Sequence, residues 1–280
     1  MNNSMITASV SMGALQQKLD MLADNFANSN TVGYKRKTAV FEDILTSVNS
    51  QLNDFSQPGR RTPLGFTQGW GARLVSIQTD MSQGVLQQTD NPTDVAIEGN
   101  GLFEVRVDDN IGSARAFTRH GPFQLIPDGN GDRILVTNSG QRVVASTANG
   151  EDFIRVPQGY ELSIAEDGTL IGNGGEGVEP IALGRLKLVQ VTNSELLQAV
   201  ADNLFGIAAN INPDNVVRDI ALLPAGESGV AVRQGFVEQS NVNLTDEMSD
   251  LMIVQRAYQL SARALSSSEQ MMGMANNLRA

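Results

Sequence analysis

The sequence predicts an α+β chain with three parts: long N- and C-terminal helices that pair in coiled-coil fashion, an extended segment after the first helix, and a central, mostly antiparallel all-β domain. Three observations carry this. Both ends hold apolar residues at intervals of seven. The middle is a succession of short β-type runs divided by Gly, Asn and Asp, and the stretch before it follows no regular period. The expected boundaries are 1–33, 34–93, 94–237 and 238–280.

The first helix is expected over Ser4 to Asn28. Met5, Met12, Leu19 and Phe26 recur every seven residues, with Ala8, Leu15 and Leu22 interleaved. A helix with that period buries one narrow seam against a partner helix, whereas a helix lying on a sheet follows 3.6; packing of the two helices back on the β domain as ordinary core is the alternative. Gly13 inside it costs about 1 kcal/mol relative to Ala. The turn formers from Asn28 to Gly33 end it.

Between Tyr34 and Pro92, Phe41, Ile44, Leu45 and Val48 suggest a short helix or tight loop. Gln57-Pro58-Gly59, Thr62-Pro63 and Gly65 to Gly71 then break any period, before a weakly alternating strand candidate at Ala72 to Thr79. So long a stretch reads as a functional extension or linker. From Asp94 onward, candidate strands are Val95–Ile97, Leu102–Val107, Ala116–Arg119, Phe123–Ile126, Ile134–Thr137, Val143–Ala145, Glu161–Ile164, Leu170–Ile171 and Ile181–Val191. Asn/Asp-Gly pairs and Asp108-Asp109-Asn110 separate them, the former supplying the positive φ of tight hairpins. A short helical turn is expected over Glu195 to Val200, then an extended run from Asn203-Leu204-Phe205 toward Gly235.

The second long helix is expected from Asn243 to Asn277, about 50 Å at 1.5 Å per residue. Leu244, Leu251, Tyr258, Leu265 and Met272 repeat every seven residues along it. Asp246, Glu247 and Asp250 sit in its first turns, where carboxylates complement the positive end of the helix dipole. The subunit-interface candidates are therefore Met12, Leu15, Leu19, Leu22, Phe26, Leu244, Leu251, Tyr258 and Leu265.

Composition narrows the function. The net charge is -11 with 20 scattered Lys and Arg, so no basic face for nucleic acid is expected, and Tyr34-Lys35-Arg36-Lys37 reads as a solvated run. The chain has no cysteine, which excludes disulfides, thiolate metal sites and cysteine nucleophiles. No apolar stretch reaches the roughly 20 residues of a membrane span, and a cleaved signal peptide is not expected. Gly172 to Gly177 spells GxGxxG, but Val178-Glu179-Pro180 follows where a dinucleotide site needs a helix, so a flexible hairpin loop is the better reading. Asp128 to Asp132 resembles the start of a calcium loop, yet Arg133 and Ser139 stand where that loop needs Gly and Glu; it reads as a β-turn. His120 is the sole histidine and reads as a strand-end residue. No catalytic residue, metal or cofactor is expected.

Three segments carry a family resemblance. Asp24-Asn25-Phe26-Ala27-Asn28-Ser29-Asn30-Thr31-Val32-Gly33-Tyr34-Lys35-Arg36 resembles the NNxANxNTxGFKR signature of bacterial flagellar rod and hook proteins. Asp94 to Phe103 is similar to their DxAIxGxGFF element. Gly235 to Leu244, with Met248 and Gln255-Arg256-Ala257-Tyr258, resembles ExSNVxLxxEM…QRAYQ. Asp24, Tyr34 and Leu102 depart mildly from these patterns. The motif residues carried over are Asn25, Asn28, Asn30, Thr31, Gly33, Glu238, Ser240, Asn241, Gln255 and Arg256.

The resemblance implies a flagellar axial protein, most like the distal rod members. It implies terminal helices lining an export channel, a middle segment bracing neighbours and an outward β domain. It also implies delivery by the flagellar type III export apparatus without signal cleavage, with partners that are copies of itself and other rod and hook proteins. A hook-type axial protein, or a ligand-binding β protein with capping helices, is the alternative.

Overall fold

In the computed structural model the described residues are 2–49, 66–109, 112–128, 131–147, 150–175, 178–201, 203–208, 210–220 and 229–278. The fold is α+β, with a helix near each end and a large antiparallel sheet domain between. The chain divides into two compact units, each drawn from separate stretches of sequence. One holds Met1–Ala27, Lys37–Gln78 and Asn243–Ala280; the other holds Asn28–Arg36 and Thr79–Val242.

In the first unit, α1 (Asn2–Ala27) and α2 (Leu244–Asn277) run antiparallel, as the bond between Asn25 and Glu247 and the cavity that Met5, Ile6 and Leu265 line together require. Met21, Leu22 and Val254 form the buried apolar contact, joined by half-buried Leu15, Leu19, Ala39 and Leu251. β1 (Lys37–Asn49) and β2 (Phe66–Thr79) make a two-stranded sheet. This corrects the expected short helix or tight loop around Phe41 to Val48. Thr38, Val40, Ile44, Thr46 and Val48 are β-branched at even positions, a period of two that favours a pleated strand over the apolar spacing weighed first. The breaks at Gln57-Pro58-Gly59, Thr62-Pro63 and Gly65 lie outside the described residues.

The second unit is built from β3 (Leu86–Gln88), β4 (Val95–Glu98), β5 (Gly101–Asp109), β6 (Gly112–Thr118), β7 (Phe123–Pro127), β8 (Arg133–Thr137), β9 (Arg142–Thr147), β10 (Gly150–Phe153), β11 (Arg155–Val156), β12 (Tyr160–Ile164), β13 (Thr169–Gly174), β14 (Ile181–Leu186), β15 (Leu188–Val191), β16 (Leu197–Ala201), β17 (Leu204–Ile207), β18 (Val217–Asp219), β19 (Ala231–Gln234) and β20 (Phe236–Glu238). The main sheet runs β12-β13-β14-β9-β5-β6-β17-β16, and β19 pairs with β4 and β20 with β3. β5 is buried on both faces. Phe103 and Val105 enter the larger core, where Phe103 meets Phe123 edge-on at 5.1 Å, and Leu102 enters a second core with Phe117 and Phe205. The coverage on both sides holds for Leu102 to Val105, with Glu104 among them, whereas Arg106 and Val107 are half-buried.

Three expectations change here. Ile181 to Val191 is two strands, because the chain switches partner at Lys187: β14 pairs with β9 and β15 with β5. The helical turn near Glu195 is confined to Ser194–Leu196, and β16 takes up Leu197–Ala201. Asp108 and Asp109 are strand residues of β5 opposite Ser113 and Gly112, not a turn.

Candidate functional site

Within each unit, several residues of the resembling motifs meet although they are about 200 positions apart in sequence. In the second unit, Glu238 at the end of β20 is the hub. Its carboxylate accepts from Lys35 Nζ at 2.8 Å, from the Gly84 amide at 2.7 Å and from Arg119 Nε, with Lys35 and Glu238 side chains each 1% exposed. Lys35 Nζ also donates to Ser82 O at 2.7 Å, and Arg119 to the carbonyls of Ile97 and Gly101. Burial holds the Lys35 ammonium below its usual range, and the Glu238 carboxylate works against that shift. Two cations and one buried carboxylate, each further hydrogen-bonded, satisfy the pairing that buried charge demands.

The segment carrying Lys35 is held by its backbone as well. Thr31 N and Oγ1 bond back to Asn28, making the turn, and Gly33 then donates to Glu238 O at 2.8 Å. Gly33 sits at φ +72, and a Cβ there would lie 2.8 Å from the His120 backbone, so only glycine fits. Asn241 completes the latch: its Oδ1 accepts from Arg36 N at 2.7 Å, and its Nδ2 donates to Asp80 O at 3.0 Å and Ser82 O at 3.1 Å. Ser240 Oγ accepts from Val242 N.

Asn25, from the same N-terminal motif, works inside the first unit. Wholly buried, it donates to Lys37 O and accepts from Lys37 N, both at 2.9 Å, and it donates to buried Glu247 at 3.3 Å. One carboxamide thus ties α1, the start of β1 and the first turn of α2. Lys37 adds an ion pair to Asp24 at 2.5 Å.

Of the apolar interface candidates, the structure brings Leu15, Leu19, Leu22 and Leu251 together. Met12, Tyr258 and Leu265 are half-buried, while Phe26 and Leu244 stand exposed, as do Asn30, Gln255 and Arg256. The reading of Tyr34 to Lys37 as a solvated run is corrected: Tyr34 and Lys35 are buried. Sequence reasoning missed Lys35, Arg119 and Glu247, and also Glu104, which accepts two bonds from Arg115 and pairs with Lys187 at 3.2 Å. A charged residue inside an apolar strand run, as at Glu104, was the one available signal.

The apparent chemical motifs resolve into structure. Gly172 and Gly174 lie in β13, opposite Leu162 and Tyr160, and strand β14 follows; residues 176 and 177 lie outside the description. Gly131 donates to Asp128 O and Asp128 to Asp132 O, closing a turn whose residues 129 and 130 are likewise outside it. His120 follows the end of β6, half-buried beside a polar cavity of about 120 Å³. Burial lowers its pKa, opposed by Asp94. Among the described residues, no group of three or more His, Cys, Asp or Glu could hold a metal ion, and no helix is long and apolar enough to cross a membrane.

Comparison with known proteins fits this geometry. Residues 5–35 match the flagella basal body rod protein model, 96–172 the D1 domain of flagellar hook protein FlgE/F/G, and 233–278 the C-terminal model of flagellar basal body rod FlgEFG protein. The two terminal matches contain the latch residues Lys35 and Glu238. The chain is 32% identical to the flagellar basal-body rod protein FlgG of Borreliella burgdorferi, over 100% of this chain and 99% of that one. It is 34% identical to FlgG of Buchnera aphidicola over 95% of each chain. It is also 32% identical to the flagellar hook-basal body complex protein FlhP of Bacillus subtilis, over 100% of both. On these matches the chain belongs to the flagellar basal-body rod protein family, FlgG type.

Proposed function

We propose that this chain polymerises helically through its terminal helices, and that the polymer is the axial shaft of the basal body around an export channel. The single observation that carries this is the helix pair. Two helices from opposite ends of the sequence share a thin apolar contact, and α2 keeps Met248, Met252, Ile253, Leu260, Met271 and Met274 exposed. Exposed apolar surface of that extent marks an interaction site rather than a finished surface. A head-to-tail contact that does not close into a ring generates a helical filament.

In this reading the expected parts keep their roles. Residues 1–33 and 238–280 supply the inner tube with its coiled-coil-like packing, 34–93 brace neighbouring subunits, and 94–237 face outward. The partners are copies of the chain and other rod and hook proteins, and delivery is by the flagellar type III export apparatus, with no catalysis involved. Of the seven-residue rows Met12 to Phe26 and Leu244 to Leu265, Leu15, Leu19, Leu22 and Leu251 hold the helix pair of one subunit together, and Phe26 and Leu244 stand exposed for neighbours. Leu251→Asp tests it. Assembly and motility should be lost while the β signal in circular dichroism is unchanged; normal motility in that variant would sink the reading.

A further inference from the structure

The chain has no cysteine, so its 10 methionines carry all of its sulfur. Among the described residues the exposed ones are Met248, Met252, Met271 and Met274, all on α2 and from 44% to 59% exposed. Met21 is buried, and Met5, Met12, Met81 and Met272 are half-buried. At 3.6 residues per turn the four exposed methionines fall on one side of α2, away from Leu251 and Val254, which pack toward α1.

A thioether needs no deprotonation to react, so access of an oxidant to the sulfur sets its rate. Hydrogen peroxide is such an oxidant. The sulfur lone pair attacks one peroxide oxygen, and the S–O bond forms as the O–O bond breaks. The proton left on the transferred oxygen passes to the departing hydroxide, which leaves as water. Sulfur loses two electrons and the peroxide gains them. The product replaces a flexible apolar side chain with a polar one that carries an acceptor oxygen. In the lone subunit water solvates that oxygen. Under a packed neighbour it loses the water and gains no donor. Leu244, Ile253 and Leu260, the other large apolar residues exposed on α2, offer an oxidant no such handle.

We propose that Met248, Met252, Met271 and Met274 are oxidation sites of the free subunit, and that their sulfoxides block its polymerisation until they are reduced. This rests on the rod reading above and adds a modification by which competence to assemble is lost and regained. Assembly closes the sites, because the surface that binds neighbours is then out of reach of the oxidant. Leucine fills nearly the same volume as methionine, so packing alone does not require the thioether at these positions.

Full-length chain is treated with dilute hydrogen peroxide, and oxygen uptake is located by peptide mass spectrometry. The four sites should gain oxygen about tenfold faster than buried Met21. Sedimentation over a concentration series then compares treated with untreated chain. The concentration at which polymer first appears should rise about tenfold or more, with the circular dichroism spectrum unchanged. Methionine sulfoxide reductases for both epimers should return it to the starting value. A chain carrying Met248→Leu, Met252→Leu, Met271→Leu and Met274→Leu together should keep its threshold through the same treatment. Equal thresholds before and after oxidation, with all four sulfoxides present, overturn the proposal, as does an equal rise in the leucine variant. Should the leucine variant fail to assemble untreated, the reductase step on the parent chain decides, and a threshold that stays high overturns the proposal. Untreated parent chain that forms no polymer overturns the rod reading and this proposal with it.

Discussion

Glu238 Oε1 and Lys35 Nζ meet at 2.8 Å across 203 positions of sequence, both almost fully out of water. That pair, with Arg119 on the other carboxylate oxygen, makes a short N-terminal segment part of the β unit. Glu238→Gln keeps the shape but removes the charge that two buried cations share. The expected cost is about 3–5 kcal/mol, the range for breaking one partner out of a buried ion cluster. Urea unfolding of the full chain by circular dichroism measures it, and a loss under 1 kcal/mol would show that the cluster does not hold this segment.

Asn25 has the same logic in the helix unit without charge. Its carboxamide satisfies Lys37 N, Lys37 O and Glu247. Asn25→Ala removes all three of these bonds from the junction, at about 1–3 kcal/mol. Leu22→Ala removes the centre of the apolar contact at about 2–5 kcal/mol. Both should lower the helical signal in thermal melts; Asn25→Ala melting as the parent does would assign the motif asparagine to assembly alone.

The two terminal helices were legible because each is long and strongly periodic, and most of the β strands because Asn/Asp-Gly turns bound them. Which helix positions face inward was less so. A row spaced by seven drifts around a straight helix by about 20° per heptad, and its last member in α1, Phe26, is 42% exposed. The inner face instead includes Ala14, Met21 and the polar Asn25. The latch could not be read from sequence at all. Lys35 sits in a run of three basic residues, and nothing local indicates that a glutamate 203 positions away will bury one of them. Arg119 is no different: its carbonyl partners at Ile97 and Gly101 exist only once the strands pair.

His120 predicts a pH response. Burial lowers its pKa from 6.5, with Asp94 opposing, so below that value the folded chain takes up fewer protons than the unfolded one. Its contribution to stability is complete above pH 6.5 and is lost as pH falls through the lowered folded value. The urea midpoint should therefore drop between about pH 7 and pH 5, and less steeply in His120→Gln. Identical slopes for the two chains would remove His120 from the response.

Two glycines should answer the same substitution in opposite ways. A Cβ at Gly84 would stand 2.0 Å from the Gln239 carbonyl oxygen, a distance no real contact shows, while the Gly84 amide binds Glu238. Gly84→Ala must move backbone on one side or the other, and in doing so it breaks the 2.9 Å bond from Gln239 N to Val85 O and withdraws a donor from the buried carboxylate. Loss should exceed about 3 kcal/mol, beyond the usual range for a point substitution. Gly13→Ala meets open space on an exposed helix face and should raise the stability of α1 by up to about 1 kcal/mol. Thermal melts of the two variants compare these directly. A stable Gly84→Ala chain would mean that the strand register beside Glu238 is looser than its hydrogen bonds imply.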